Sequence, residues 1–465
     1  MTEYYVATTG NNGDAGTIGK PWATITYAAS VIAAYDTVHV RGGTYHEKLT
    51  ISPNNVTFAA YEDETPIIDG RRTLPTSWDY LVTLAGAGIL FKGFEVKESA
   101  WLGIGVGGSG NTVRDCYVHH TYDGGIYVYG PNAIVEDCET YWCSDKREYG
   151  RGSGYWSWGI CANNTSGTII RRNYVHQIWG EGIGPYIASN LTIEDNVIAD
   201  CYAVGLYLNR IQIALIQRNL IYGIPGSDVW NTGYRAPGIG IADEGPAGQN
   251  TGLIIINNIV HDTLNHAIYF WPDAAGSGLK NSLIAFNSVD MRKQDRNAIQ
   301  INAGSHSNSR ITSNIALGGV SIAPGITVDN NMTTGNPLWV GGVAPDGYKI
   351  SSGSPAIGAA ATDTGVVTDY WVGKRGGNPD QGACEYTTTN EEPDEESEED
   401  PIMGAVQDLQ IAVDILTASV AVQQAAFAQV ENANVKIVAS TTAIEVAMAA
   451  LQAADVAADA LADAL

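Results

Sequence analysis

Carboxylate side chains recur beside one repeated strand pattern, at spacings that suit acid–base chemistry. Asp123 and Glu181 precede copies of the pattern two coils apart, which is about 9.6 Å at roughly 4.8 Å per coil. That separation is near the upper limit for the carboxyl pair of an inverting glycosidase. Asp243 with Glu244, and Asp273, follow copies one coil apart, as a retaining pair or a Ca²⁺ site would require. Catalysis at either set is one interpretation, and acceptance of backbone N–H bonds at turns is the other.

The repeated pattern is a small residue, then Ile or Leu, then any residue, then an apolar residue. Apolar and polar positions alternate with a period of two, so each copy predicts a short strand with one buried and one open face. Recurrence at intervals typical of stacked coils predicts a solenoid. The clearest copies begin at Gly125, Gly159, Gly205, Gly238, Ala267 and Ala298.

The open positions of these strands predict a polar and aromatic surface. Seven rungs spaced by about 4.8 Å give a face roughly 29 Å long. Aromatic rings stack on the C–H faces of sugars and amides bind hydroxyls, so the surface predicts a groove for a neutral polysaccharide. The alternative is that Tyr is simply a good strand former on a solvated sheet. The candidate carbohydrate-binding residues are Tyr127, Tyr129, Asn163, Tyr186, Tyr207, Asn209, Tyr269, Trp271, Gln300 and Asn302.

A second register fixes the coil length. Asn173, Asn196 and Asn219 each end an apolar strand, and both intervals are 23 residues, about one coil of a parallel β-helix. Buried amides one coil apart can hydrogen-bond to each other, which avoids roughly 1–3 kcal/mol for each unsatisfied group. Asn258, Asn287 and Asn314 continue the register, and Cys116 and Cys138 occupy it in the first coils.

Composition narrows the classes of partner. The formal charge of −25 and pI near 4.5 argue against binding to nucleic acid or to an anionic membrane surface. No apolar run reaches the roughly 18 residues needed to span a bilayer, so membrane insertion is not expected. The first residues show no secretory signal. The six Cys lack the spacing of a zinc site and are interpreted mostly as buried thiols.

Both ends of the solenoid resemble one superfamily. Its opening segments are Tyr4–Ala7, Gly10–Thr17, Lys20–Ile25 and Asp36–Tyr45, and its closing segments are Ser354–Gly358 and Gly382–Tyr386. These resemble right-handed parallel β-helix proteins of the pectate-lyase-like superfamily, which includes tailspikes and surface fibres. The resemblance implies an all-β parallel β-helix over residues 1–386, with a short helix near 25–34 capping the first coil.

Activity stays open within that resemblance, because the superfamily includes lyases, hydrolases, epimerases, tailspikes and adhesins. A lyase of this type needs a base, usually assisted by Ca²⁺, and Arg210 is the only base clearly on the predicted face. The residues therefore give elimination only weak support. No cofactor is predicted, although Ca²⁺ would suit a lyase, and the metal ligands are unknown.

The sequence pattern changes over residues 387–465. An acidic run at 387–401 predicts a disordered linker. Residues 402–465 then carry apolar side chains at 4,3 spacing for seven heptads, which predicts an α-helical coiled coil and self-association. The resemblance implies a homotrimer, because β-helix fibres with helical stalks in the resembled families are commonly trimeric. An intrachain helical hairpin that turns near Asn432–Asn434 is the alternative.

These features together predict a surface or virion fibre or spike-like protein that binds polysaccharide along the β-helix face. The expected location is a virion, the cell surface or the extracellular space, with virion or surface proteins as further partners. A polysaccharide-degrading hydrolase or lyase is the second hypothesis. A non-catalytic structural or decoration protein is the third.

Overall fold

The computed structural model describes residues 2–144, 157–224, 236–245, 250–273, 276–294 and 296–387. Within these ranges no helix is both long enough and apolar enough to cross a bilayer. The predicted linker beyond residue 387 and the predicted coiled coil at 402–465 lie outside the described residues. Both therefore stay predictions.

Three parallel sheets contain the strands of the described residues. Sheet 1 consists of β1 (Glu3–Val6), β2 (Thr37–Val40), β5 (Thr57–Ala60), β8 (Leu90–Lys92), β11 (Thr112–Arg114), β14 (Ile134–Glu136), β17 (Ile169–Arg171), β20 (Ser189–Glu194), β23 (Gln212–Gln217), β26 (Thr251–Ile256), β29 (Leu283–Ala285), β32 (Ser309–Thr312) and β35 (Ile326–Asp329). Sheet 2 consists of β4 (Leu49–Ile51), β7 (Tyr80–Leu84), β10 (Leu102–Val106), β13 (Ile126–Val128), β16 (Trp158–Ala162), β19 (Glu181–Ile183), β22 (Val204–Asn209), β25 (Ile239–Ala242), β28 (Ile268–Trp271), β31 (Ile299–Ile301) and β34 (Val320–Ile322). Sheet 3 consists of β3 (Gly43–Tyr45), β6 (Pro66–Asp69), β9 (Glu95–Lys97), β12 (Tyr117–His119), β15 (Glu139–Tyr141), β18 (Tyr174–His176), β21 (Val197–Ala199), β24 (Leu220–Ile224), β27 (Ile259–Thr263), β30 (Ser288–Asp290) and β33 (Ile315–Leu317).

The alternating pattern builds the wall of each coil. In β13 the side chains of Ile126 and Val128 are buried in the interior, while Tyr127 between them faces outward. The next coil places Ile160 beside Ile126 in parallel register, so like residues stack along the axis. Each full turn of the chain adds one strand to every sheet, which leaves one continuous apolar core. The predicted all-β parallel solenoid is confirmed.

The asparagine register forms a buried ladder between sheets 1 and 3. The side-chain nitrogen of Asn173 donates to the amide oxygen of Asn196, and Asn196 donates to Asn219, at 3.0 and 2.9 Å. The ladder runs one rung beyond the predicted set, because Asn314 donates to Asn331 at 2.8 Å. The rungs between are Asn219 to Asn258, Asn258 to Asn287 and Asn287 to Asn314, each 2.9 Å.

The cysteines are buried thiols, as predicted, with none of the six in a disulfide. Cys116 and Cys138 stand in the line of the asparagine ladder, and the backbone N–H of Cys138 donates to the Asn173 side chain at 3.0 Å. A small thiol therefore begins a stack that amides continue.

Short segments lie at the two ends of the described helix. Helix α1 (Ile25–Val31) has Thr24 as its N-cap and buries Ile25 and Ala28 in the core. Its predicted role as a cap stays a prediction. The segment after β35 has one 3₁₀ turn, Asp346–Tyr348, and returns to the last coils. Gly382 and Ala383 donate backbone hydrogen bonds to the Ser313 carbonyl oxygen and the Ser288 hydroxyl, at 2.8 and 2.9 Å.

Candidate functional site

A cleft of about 610 Å³ lies on the outer face of sheet 2. It extends from β10 to β28, six strand steps or about 29 Å. Its walls combine aromatic rings, amides and carboxylates, which is the composition predicted for this face. The lining residues are Trp78, Leu102, Asp123, Tyr127, Trp158, Asn163, Glu181, Gly184, Tyr186, Val204, Tyr207, Asn209, Pro237, Glu244, Asn265, Tyr269 and Trp271.

Small residues alternate with tyrosines along the middle of sheet 2. Parallel register places Gly240 between Tyr207 and Tyr269, and Gly184 precedes Tyr207 in the same column. A Cβ atom at Gly184 would overlap the Trp158 ring and the Glu181 carboxyl group. Glycine at this position therefore provides the space in which Glu181 folds over the sheet.

Glu181 is a buried carboxyl group of the cleft, as is Asp123. Glu181 is 7% exposed, and its Oε2 atom has no hydrogen-bond partner among the described residues. Burial raises the pKa of Glu181 well above its usual range, and the negative charge of Glu244 raises this pKa further. A hydrogen bond from the Trp158 indole to the carboxyl group opposes part of the rise. The group therefore holds its proton at pH values where an exposed glutamate is ionised.

Glu244 is exposed and is held over the cleft by the strand beneath it. Asn209 donates from its amide nitrogen to Glu244 Oε2 at 2.9 Å and accepts from the Glu244 backbone N–H at 3.1 Å. The Tyr207 hydroxyl also hydrogen-bonds to Glu244. Burial, together with the charges of Glu244 and Glu181, raises the pKa of Tyr207. One tyrosine thus interacts with both carboxyl groups.

Two predicted sugar-binding residues are buried instead. Tyr207 is 8% exposed because Trp271 stacks face to face on it, with ring centroids 5.4 Å apart and planes 9° apart. Asn209 is 2% exposed beneath Glu244. Both residues line the cleft and contact Trp271 and Glu244, and their direct contact with a sugar stays a prediction.

The remaining cleft residues form further polar pairs. Asn163 donates from its side chain to the Tyr127 hydroxyl. Arg210 donates from Nη1 to the Tyr186 hydroxyl at 3.2 Å, and its guanidinium lies 5.7 Å from the centre of that ring. Tyr269 receives a hydrogen bond of 2.9 Å from Asn302 at the distal end. Polar donors are thus fixed before any ligand enters.

The structure keeps members of both predicted carboxylate sets in the cleft. Asp123 lines the cleft two strands from Glu181 and accepts from the Trp78 indole at 3.4 Å, and β-sheet register aligns Glu181 with Gly124, the residue after Asp123, through Trp158. Asp243 lies outside the cleft and is fully buried, accepting backbone N–H groups of Asn250 and Gly278 at 3.1 Å each. Glu181 and Glu244, one from each predicted set, therefore line the cleft together with Asp123, and both interact with Tyr207.

Five predicted residues do not line the cleft. Besides Asp243, these are Asp273, Tyr129, Gln300 and Asn302. Tyr129 stacks on Tyr80 at 5.7 Å, and Gln300 donates to Asn302 at 3.0 Å. Gln300 and Asn302 continue the polar surface by one strand beyond β28.

Two tryptophans that line the cleft, Trp158 and Trp78, were not among the predicted site residues. Trp158 begins β16 two residues before Ile160, the same offset that separates Glu181 from Ile183, so the repeat could have found it. Trp78 precedes β7 in a coil whose sequence lacks the repeated pattern, and it gave no comparable signal.

The part of the chain that the structure describes contains no assembled metal-binding site. Those ranges contain no group of three or more His, Cys, Asp or Glu side chains arranged to hold an ion. The Ca²⁺ expectation stays a prediction.

Comparison with known proteins agrees with the geometry. Residues 4–213 match the family described as Pel9A-like, right handed beta helix region. Pectate lyase L of Paenibacillus polymyxa (strain SC2) is 35% identical over 121 residues, 24% of this chain and 27% of that protein. The chain spans about a quarter of the length of the curated relatives it matches.

Solved structures share the fold over most of the chain. The crystal structure of pectate lyase Pel9A has a TM-score of 0.53 at 15% identity and covers 83% of this chain and 97% of that one. The complex structure of XylC with xylose has a TM-score of 0.54 at 13% identity and covers 82% and 98%. The protein is therefore a right-handed parallel β-helix, and its residues 4–213 are similar to the Pel9A-like family.

Proposed function

We propose that the sheet 2 cleft binds a neutral polysaccharide chain along the β-helix axis. The observation that carries this proposal is one continuous cleft whose walls hold the half-buried rings of Trp158 and Trp271 in line with pre-positioned hydroxyl and amide donors. Aromatic faces bind the apolar faces of sugar rings, and fixed donors and acceptors bind hydroxyls without a large ordering cost.

The similarity to carbohydrate-acting proteins supports this proposal. Pectate lyase L acts, by its name, on pectate, and XylC was solved with xylose. Neither resemblance identifies the sugar, because the sequence match is partial and the structural match reports the fold. We infer a neutral polysaccharide from the cleft itself, where the carboxyl groups of Glu244 and Asp123 disfavour an anionic chain.

Binding is tested with wild-type protein on an array of soluble polysaccharides, followed by calorimetry on the best ligand. Trp271→Ala should weaken binding roughly tenfold, since loss of an aromatic contact removes about 1.4 kcal/mol. Because Trp271 also covers Tyr207, Trp158→Ala provides a second test at the other end of the cleft. Tyr117→Ala is the matched control, since Tyr117 is 48% exposed on sheet 3.

Two results would reject the proposal. One is the absence of binding to every glycan on the array. The other is equal weakening by the Tyr117 control and the two tryptophan variants, since this would place the contact outside the cleft.

The surface or virion fibre role is a further part of the proposal. It rests on the heptad pattern at 402–465, which would join several polysaccharide-binding clefts in one particle. Multiple clefts would raise avidity for a polymer that repeats the same sugar motif.

A further inference from the structure

We propose that Glu181 and Glu244 form a catalytic carboxyl pair that hydrolyses a glycosidic bond of the bound chain. The inference rests on the proposed polysaccharide binding and adds bond cleavage to it. Glycoside hydrolysis requires two carboxyl groups in different environments at one cleft, and here one is buried and the other is exposed.

Geometry assigns the acid role to Glu181. Its carboxyl group folds into the space above Gly184, and its Oε2 atom is buried without a hydrogen-bond partner among the described residues. Buried carboxyl oxygens without partners are uncommon in folded proteins, because each costs the desolvation of a polar group. A neutral, protonated Glu181 lowers that cost and leaves an O–H donor beside the Trp158 ring, where a sugar would lie.

Geometry assigns the anionic role to Glu244. It is exposed, and the Asn209 amide and the Tyr207 hydroxyl both donate hydrogen bonds to its carboxyl group. Asn209 also holds the Glu244 backbone, so side chain and main chain are fixed by one buried amide. A fixed negative charge at this position stabilises the positive charge that develops at the anomeric carbon.

The reaction balances without another reagent. Glu181 gives its proton to the glycosidic oxygen as the bond between that oxygen and the anomeric carbon breaks. Water then bonds to the anomeric carbon, and the proton that water loses passes to a carboxylate. The pair therefore carries one proton before and after the reaction, and the products are two chains, one with a new reducing end.

The nearest alternative is elimination, which needs a base to remove a proton from a uronate ring. In the part of sheet 2 that the structure describes, Arg210 is the cation beside the cleft, and it donates to Tyr186. A guanidinium keeps its proton at neutral pH and is a poor base. The charge of the cleft therefore favours hydrolysis of a neutral glycan.

The test incubates the full chain with arabinoxylan, β-glucan, galactomannan and polygalacturonate. New reducing ends and ultraviolet-absorbing unsaturated ends are measured separately. We expect reducing ends without unsaturated ends from a neutral glycan. Glu181→Gln and Glu244→Gln should each lower the rate roughly 100-fold or more, with binding affinity within about threefold of wild type. Glu139→Gln is the matched control, a carboxylate of β15 that pairs with His176 on sheet 3.

The outcomes separate the two proposals. A glycan that binds without releasing reducing ends overturns hydrolysis and leaves binding intact. Unsaturated ends, or unchanged rates in both glutamine variants, also overturn it. Lack of binding to every array polysaccharide removes both proposals together.

Discussion

The protonation of Glu181 has a consequence for stability that does not depend on knowing the glycan. Burial raises the pKa of this carboxyl in the folded protein above its ordinary value of 4.5. The folded state then binds more protons than the unfolded state, so the free energy of unfolding falls as pH rises above about 4.5. The fall continues until the folded pKa is reached, at about 1.4 kcal/mol per pH unit within that window.

Glu181→Gln removes this titration, and its effect should therefore grow with pH. We expect the unfolding temperature of the variant, relative to wild type, to rise steadily from about pH 4.5 toward neutral pH. Thermal melts of both proteins across this range measure the difference. A difference that stays constant with pH would show that Glu181 titrates alike in the folded and unfolded states.

The space above Gly184 gives a second prediction for the same carboxyl group. A methyl group there would overlap the Glu181 carboxyl and the Trp158 ring. Gly184→Ala should therefore displace both side chains and lower hydrolysis at least tenfold. Gly19→Ala is the control, because nothing lies within 4 Å of a Cβ atom at that glycine. Equal activity of the two variants would contradict the placement of Glu181.

Sequence found both members of the carboxyl pair but grouped them with other partners. Offsets along the chain located Glu181 and Glu244 near the repeated strand. A sequence offset does not show where a side chain lies in the folded protein. The partner of Glu181 depends on Asn209, which holds Glu244 over the sheet, and on the backbone contacts that bury Asp243. Those contacts come from tertiary packing.

At the scale of elements, the asparagine ladder joins successive coils. Asn258 accepts from the backbone and side chain of Asn219 and donates to Asn287 and to two carbonyl groups. Asn258→Ala would leave several of these buried groups unsatisfied, so we expect a loss of roughly 3 kcal/mol or more in the free energy of unfolding. Urea unfolding measures it.

A matched variant distinguishes the effect of losing a buried ladder amide from the effect of losing an exposed amide. Asn378 is exposed and does not have a left-handed backbone. Asn378→Ala should change the free energy of unfolding by less than about 0.5 kcal/mol. Similar losses in both variants would contradict the account of the ladder.

The repeated elements were predictable because each strand of a solenoid is encoded by a short, local sequence pattern. Period-two alternation predicted β13, and the 23-residue interval predicted the rungs at Asn173, Asn196 and Asn219. The burial of Tyr207 was not predictable in the same way. It depends on the Trp271 ring two coils away, and alternation alone places both residues outward.

For the whole molecule, the heptads at 402–465 predict self-association. The full chain should sediment as a trimer, and a chain ending at Glu391, where the first compact unit ends, should sediment as a monomer. The shortened chain should keep its affinity for single oligosaccharides and lose avidity for long polymer. A full chain that sediments as a monomer would remove the fibre role and support the helical hairpin.

A polysaccharide that occupies the sheet 2 cleft should place its cleavable bond at Glu181. A crystal structure of Glu181→Gln soaked with an oligosaccharide of the bound glycan tests this most directly. We predict sugar rings between Trp158 and Trp271, with one glycosidic oxygen within about 3.2 Å of the side-chain amide that replaces the Glu181 carboxyl group. Sugar bound only elsewhere on the β-helix, with this cleft empty, would contradict the account.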